Sequence, residues 1–220
     1  VRRTVRPVRI EDLLGRDEIK INMSEIGNSL AGKTVMVTGA AGSIGSEICR
    51  QLAKFHIKHL VLFDSAETPM HNLRLELEEK FPTLPFTPVI GDVRSETRVD
   101  SIFGCYQPNV VFHAAAYKHV PLMEENPSQA VYTNVLGTKN LADLSVKYNV
   151  ERFVMVSTDK AVNPSNVMGA SKRIAEKYVQ TLQDSLKSQT SILFKTKFIT
   201  TRFGNVLGSN GSIVPLFTKQ

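Results

Sequence analysis

The sequence predicts an α/β fold, a doubly wound sheet of parallel strands with helices on both faces. Three observations predict it. Short, continuous β-branched runs alternate with amphipathic stretches of helix length between residues 34 and 202. The first run ends in a glycine-rich turn, Thr38-Gly39-Ala40-Ala41-Gly42-Ser43-Ile44-Gly45, with a helical pattern directly behind it. The second run ends in an acid, Asp64. Runs that lack polar alternation belong to strands buried on both faces, as crossover helices bury them in a parallel sheet.

Residues 1–32 read as an arm, with one helical turn over 8–15 and a second helix over 25–30 capped by Ser24. The regular part then begins. Strands are expected at 34–38, 59–63, 87–90, 110–114, 153–157 and 197–202. Helices are expected at 43–55, 69–80, 96–106, 127–148 and 168–186. Strict alternation of the two makes each strand–helix–strand step a right-handed crossover. The polar stretch 183–190 is the candidate mobile loop. Residues 33–203 then form a Rossmann-type domain.

Composition excludes several classes. With 220 residues, 42% apolar and 22% charged, the chain can bury a sizeable core, so disorder and disulfide-stapled mini-proteins are out. The two cysteines, Cys49 and Cys105, fall in predicted helices without metal-ligand spacing. They read as reduced, buried thiols of a cytoplasmic protein, and no metal is expected. The net charge of +6 is uneven: +2 over 1–20, −3 over 21–146 and +7 over 147–220. The basic residues of the last third are spaced singly and no aromatic stripe interleaves them, which favours a phosphate-bearing small molecule over nucleic acid. No apolar run spans a bilayer, and the basic start is followed by no apolar segment of a signal peptide.

The glycine turn carries chemistry. Between a first strand and its helix, such a turn brings backbone N–H groups up to a pyrophosphate, and the helix dipole adds to the attraction. Gly39 permits the tight turn, Gly42 lets phosphate approach and Gly45 lets helix and strand pack closely; Ala41, Ser43 and Ile44 complete the cradle. Asp64 follows Gly45 by 19 residues, near the ~20 expected of the acid that binds an adenosine ribose. With no Arg after it in Ser65-Ala66-Glu67, NAD is favoured over NADP. Asp92 and Val93 end the third strand toward the adenine. Ala114, Ala115 and Ala116 end the fourth with side chains small enough for a cofactor to lie across. His113 reads as a structural histidine and not a catalyst.

The fifth strand ends in Ser157-Thr158-Asp159-Lys160, at the carboxyl edge where open α/β sheets place their sites. A hydroxyl, an acid and an amine side by side can supply a hydrogen-bond donor, a general acid and a general base. A helix then begins with Met168-Gly169-Ala170-Ser171-Lys172, whose first and last residues share one face.

The glycine turn, Ser157 and the helix bearing Lys172 resemble the extended short-chain dehydrogenase/reductase superfamily. More narrowly, residues 39–47, 113–124, 157–172 and 202–209 resemble the nucleotide-sugar 4,6-dehydratases of bacterial capsule, O-antigen and glycan synthesis, which act on UDP-N-acetylglucosamine. The similarity runs from residue 8 onward, and because related enzymes continue well past Phe217 it implies that 204–220 begin a C-terminal substrate-binding lobe that is cut short. It implies that hydride passes from C4 of the sugar to NAD, that C5 loses a proton, that the 6-hydroxyl leaves as water, and that hydride returns to C6. It implies Lys160 as the C5 base, Asp159 as the acid for the departing hydroxyl, and Thr158 on the 4-hydroxyl. Lys172 would hold the nicotinamide ribose, Ser157 and Val206 would contact the cofactor, and Lys118 and Asn205 would bind the nucleotide-sugar. Where the superfamily usually carries a catalytic Tyr, this chain has Met168, as longer members of the subfamily do. The 4-hydroxyl proton then falls to Thr158, Asp159 or water.

The opening 6–15 resembles the junction that follows a membrane-spanning region in long members. The chain is therefore expected to be the middle of a membrane-anchored enzyme, with no membrane contact of its own. Alternatives are a nucleotide-sugar epimerase, or an inactive NAD-binding module. Val131, Val135, Leu141, Ile174, Tyr178 and Leu182 on the two long helices suggest a homo-oligomer.

Overall fold

A computed structural model describes residues 22–188 and 196–204. Residues 30–204 form one compact unit. Its six strands are β1 (Thr34–Thr38), β2 (His59–Asp64), β3 (Phe86–Ile90), β4 (Val110–His113), β5 (Arg152–Thr158) and β6 (Lys197–Phe203). All pair in parallel, in the order β3-β2-β1-β4-β5-β6. The doubly wound Rossmann-type sheet expected from the alternation is therefore present. Pro88 sits in β3, which is an edge strand, where a missing N–H is tolerated.

The faces are filled as period-two strands demand. Met36, Val61, Phe63, Val111, Phe153 and Met155 share one apolar cluster with Val99 and Phe103 of α4 (Glu96–Tyr106), Leu141 of α7 (Gly137–Lys147), and Ala175 and Val179 of α8 (Val167–Ser188). The helices α2 (Ser43–Leu52) and α3 (Glu67–Lys80) bury Cys49, Leu52, Met70, Leu73 and Leu77.

Several boundaries differ from expectation. The helix α1 (Met23–Leu30) is capped by Asn22, whose Oδ1 accepts the Glu25 N–H at 3.2 Å, and not by Ser24. The expected single helix 127–148 is α6 (Pro127–Ala130), a π turn over Val131–Leu136, and α7. A short α5 (Val120–Glu125) precedes it; no periodicity of ordinary helix length announced it. The expected loop start at 183–188 is the end of α8, and the rest of that loop lies outside the described residues. The thiols also divide: Cys49 is buried and its pKa pushed up by burial, whereas Cys105 is exposed. Among the described residues, no helix is long and apolar enough to cross a membrane. The expected turn at 8–15 lies outside them.

His113 is fully buried at the end of β4. Its Nδ1 bonds the Thr38 hydroxyl at 2.8 Å and its Nε2 the Thr138 hydroxyl at 2.9 Å. Burial, with the nearby Lys172 cation adding to it, pushes its pKa down to about 3, so the ring is neutral. The folded pKa lies below the unfolded value of about 6.5. Its contribution to stability is thus complete above that value and is lost as pH falls from there toward 3. His113→Gln is expected to flatten the decline of stability between pH 6.5 and 5, by up to about 1.4 kcal/mol per pH unit in urea titrations. An unchanged slope would mean that the ring is protonated in the fold.

Candidate functional site

Strand order reverses at β1 and β4, and the crevice outside their carboxyl ends is where such sheets bind ligands. Each strand brings one piece to that edge. From β1 comes the glycine turn. Gly39 has φ +68, and a Cβ there would lie 2.5 Å from the Ala115 backbone nitrogen. A Cβ at Gly45 would overlap the Gly39 carbonyl oxygen. Only glycine lets the turn, the start of α2 and the loop after β4 approach one another so closely. At Gly42 a Cβ would meet only the Gly39 oxygen, at 3.3 Å, which leaves the outer side open. Gly42 is also the N-cap of α2, and no side chain caps that first turn.

From β2 comes Asp64. One carboxylate oxygen accepts the Ala41 N–H and the other the Ala66 N–H, both at 2.9 Å. The acid thus braces the glycine turn while each oxygen keeps a lone pair to offer a ribose hydroxyl. Ser65 next to it is exposed. After β3, Asp92 is engaged by Arg94 through Nε at 2.8 Å and backbone N–H at 2.9 Å, and Arg94 holds its carboxyl below the usual carboxylate range. Val93 is buried, and the Asn140 amide bonds the carbonyls of Val93 and Arg94 at 3.1 and 3.2 Å. Neither Arg94 nor Asn140 was a candidate from the sequence, since each acts from outside the motif. Ala114, Ala115 and Ala116 are half-buried beyond β4, and Lys118 is exposed after them.

β5 delivers the cluster Ser157-Thr158-Asp159-Lys160. The Thr158 hydroxyl donates to Asp159 Oδ1 at 2.9 Å and accepts the Lys160 N–H at 3.3 Å, capping a 3-10 turn over Asp159–Ala161. Asp159 and Lys160 pair at 3.6 Å. The Thr158 bond, with Lys160 adding to it, holds the Asp159 carboxyl below its ordinary range. The turn is pressed against α8 because Gly169 has no side chain: a Cβ there would lie 2.5 Å from the Lys160 carbonyl oxygen. The start of α8 is fixed twice, by Asn166 Oδ1 on the Gly169 N–H at 2.8 Å and by Glu124 of α5 on the Val167 N–H at 2.7 Å.

Met168 is 4% exposed and packs with Met123 and Ala130, an apolar contact with no proton to exchange. Lys172, one turn on, is buried and donates to the Val156 carbonyl at 2.8 Å. Burial pushes its pKa down to about 8, against the opposing pull of Glu176. Asn134, fully buried in the π turn, was also missed. Its amide bonds both backbone groups of Tyr117 and the Ser171 hydroxyl, so it joins the loop after β4 to α8. Asn205 and Val206 lie outside the described residues.

These residues fit a dinucleotide. The Cβ-free cradle at Gly39, Gly42 and Gly45 and the uncapped α2 suit a pyrophosphate. Further along the same edge, the buried Ser157 hydroxyl has no hydrogen-bond partner, and the Lys172 ammonium spends one of three donors on Val156.

The family model described as "Polysaccharide biosynthesis protein" matches residues 35–220. The chain is 49% identical over 217 residues to the capsular polysaccharide biosynthesis protein CapD of Staphylococcus aureus, covering 98% of this chain and 35% of that protein. It is 38% identical over 192 residues to the UDP-glucose 4-epimerase of Rickettsia canadensis, covering 86% of this chain and 53% of that one. Among solved structures, Pen from Bacillus thuringiensis superposes with a TM-score of 0.77 at 34% identity, over 87% of this chain and 56% of its own. WbmH of Bordetella bronchiseptica, in complex with NAD+, does so with 0.66 at 26% identity, over 86% and 62%. The chain thus spans between about a third and just under two thirds of these proteins. From its first strand onward, it belongs to the polysaccharide biosynthesis protein family.

Proposed function

We propose that the protein is an NAD-dependent nucleotide-sugar 4,6-dehydratase acting on UDP-N-acetylglucosamine, in a cytoplasmic segment of a longer, membrane-anchored enzyme of surface polysaccharide synthesis. One observation carries this reading: a hydroxyl, a carboxyl and an amine stand in contact at the end of β5, on the sheet edge that also bears the glycine cradle and Lys172.

Bound NAD would supply the acceptor that takes hydride from C4 and gives it back at C6. The protein's own work is positioning and proton transfer. The glycine turn holds the pyrophosphate, Asp64 the adenosine ribose, and Lys172 the nicotinamide ribose. Thr158 binds the 4-hydroxyl, and Lys118 and Asn205 the nucleotide-sugar. Lys160 and Asp159 as an ammonium–carboxylate pair carry the same number of protons as a neutral amine beside a carboxylic acid. Moving one proton across their 3.6 Å contact therefore turns the resting pair into the base and acid that the elimination needs. The amine takes the C5 proton, the acid gives its proton to O6, water leaves, and the pair returns to its resting charge; the proton that the 4-hydroxyl releases on oxidation balances the one that C5 regains, through the Lys160 ammonium, as hydride returns to C6. Met168 takes no part in proton transfer.

The test is incubation of the full-length protein with UDP-N-acetylglucosamine. The expected product has lost one water and shows a 4-keto group by NMR. A product of unchanged mass with inverted C4 would favour the second reading, a 4-epimerase, which the Rickettsia relative supports. Against it stand Met168, which cannot serve as the helix-borne acid–base group, and the acid–amine pair.

A pH profile probes the pair further. Asp159 is held low, so its ionised form persists until pH falls below the ordinary carboxylate range. Thr158→Val is expected to lower kcat and to move the acid limb of the profile upward. An unmoved limb would remove Thr158 from the control of Asp159. Oligomerisation belongs to the same proposal. Leu141 is in the core, but Val131, Tyr132 and Leu136 on the π turn and Ile174 on α8 expose apolar surface. Ile174→Glu is expected to shift sedimentation toward the monomer.

A further inference from the structure

Behind the cluster lies a charged group that none of the assigned roles uses. Glu176 stands one helical turn after Lys172 and its carboxylate is 5% exposed. A buried carboxylate persists only when it is paired. Here Arg202 of β6 grips it as a fork, Nε to Oε1 at 2.8 Å and Nη2 to Oε2 at 2.6 Å, and Arg173 adds a contact at 3.3 Å. Burial alone would raise the Glu176 carboxyl, but the Arg202 bonds outweigh it and hold the group below the usual range. The Ser157 hydroxyl lies near it without a bond of hydrogen-bonding geometry.

The fork joins two pieces of the cleft. On one side it backs Lys172, whose ammonium hangs from the Val156 carbonyl. On the other it grips β6 at Arg202, the residue in register with Ser157, while Phe203 pairs with Thr158. Just beyond, Gly204 abuts Asp159: a Cβ on it would lie 3.3 Å from Asp159 Oδ2. The end of β6 is otherwise largely exposed, and Ile199 and Phe203 are 42% and 37% accessible, so little apolar packing fixes it.

We propose that Glu176 is a positioning residue: clamped by Arg202 and Arg173 one helical turn beyond the buried Lys172, it sets the charge environment of that amine and holds the end of β6 beside Asp159. This rests on the reading of Lys172 as a cofactor-ribose residue. On the helix of Lys172, Arg173 and Glu176 follow it within one turn, and Lys177, Tyr178, Asp184 and Lys187 lie further along. β6 carries Lys197 at its start and Arg202 near its end. His113 on β4 is neutral, and Asp159 and Lys160 lie on the 3-10 turn. Glu124 lies at the first residue of α8, Tyr132 on the π turn and Asp143 on α7, bonded to Tyr178. Of these, Glu176 opposes the effect of burial on Lys172. Its loss would also leave the Arg202 charge uncompensated.

The test is NAD affinity as a function of pH, measured by calorimetry on the full-length protein. In the parent, affinity is expected to fall as pH rises through about 8, where Lys172 loses its proton. Glu176→Gln is expected to move that fall down by about one pH unit, costing about fivefold in affinity at pH 8, about tenfold at pH 9 and little at pH 6. Glu176→Asp is expected to restore part of the shift. Because Glu176→Gln also leaves the Arg202 fork without its charged acceptor, the double variant Glu176→Met, Arg202→Met separates charge from packing. It is expected to melt within a few degrees of the parent and still lose affinity at the lower pH. It should also lower kcat, as β6 loses its clamp. A fall that stays at the parent's pH in both Glu176→Gln and the double variant overturns the proposal, provided that Lys172→Met abolishes the pH dependence. If Lys172→Met leaves affinity and profile untouched, the reading of Lys172 fails instead.

Discussion

Lys160→Met in the full-length protein is expected to lower dehydration of UDP-N-acetylglucosamine by about 10³-fold, within the 10²–10⁴ that a positioned general base contributes. NAD affinity should stay within about threefold of the parent, because Lys160 lies on the 3-10 turn and not in the glycine cradle. Folding should also be unaffected, since the side chain is only partly covered. Proton exchange at C5 with deuterated water separates this step from the others. The variant should lose exchange at C5 together with elimination, and Asp159→Asn should lose elimination. A Lys160→Met enzyme that retains turnover within tenfold of the parent would remove the lysine from the mechanism, and with it the balanced acid–amine pair.

Gly45→Ala is expected to disable the domain more broadly. Its methyl group would overlap the Gly39 carbonyl, a backbone atom that cannot swing aside. Gly39→Ala meets two obstacles, a left-handed φ of +68 and a contact of 2.5 Å to the Ala115 nitrogen. Each is expected to cost more than ~3 kcal/mol, visible as a fall in Tm of roughly 6–12 °C or as failure to accumulate folded protein. Gly42→Ala is the informative contrast. Its methyl group finds only one neighbour, at 3.3 Å, on the side where phosphate would approach. It should melt like the parent and lose over about tenfold in NAD affinity by calorimetry. If Gly42→Ala bound NAD as the parent does, the cradle would be a tight turn without a ligand.

What was legible in the sequence follows period and contact range. Buried parallel strands show as unbroken apolar runs, so all six were found to within about a residue at most ends. The glycine turn was legible because its requirements are local to one strand–turn–helix unit. The divided helix at residues 127–148 was not. A π turn costs one residue of register and leaves the apolar pattern almost unchanged, but it places Asn134 where its side chain reaches Tyr117 and Ser171. The Ser24 cap failed for a related reason. Either Asn22 or Ser24 satisfies the local preference, and the backbone path decides which one faces the free N–H. Cys105 was expected to be buried because it lies in an amphipathic helix, yet its position falls on the exposed side.

By itself, the sequence determined the order of the elements, the parallel sheet and the chemistry gathered at its carboxyl edge, because each rests on contacts within a few residues or on the periodicity of a single element. Only the tertiary structure decided the partnerships that cross the chain. It set Asp64 on the glycine turn, Gly169 against Lys160, the neutral His113 between two threonines, and Glu176 in the grip of Arg202. Such pairs join residues 9 to 75 positions apart, and their geometry is fixed by how whole strands and helices pack. No local pattern encodes that packing. A lysine one turn into a helix reads as surface until the sheet behind it removes the water, and from that point its charge depends on the neighbours the fold has given it.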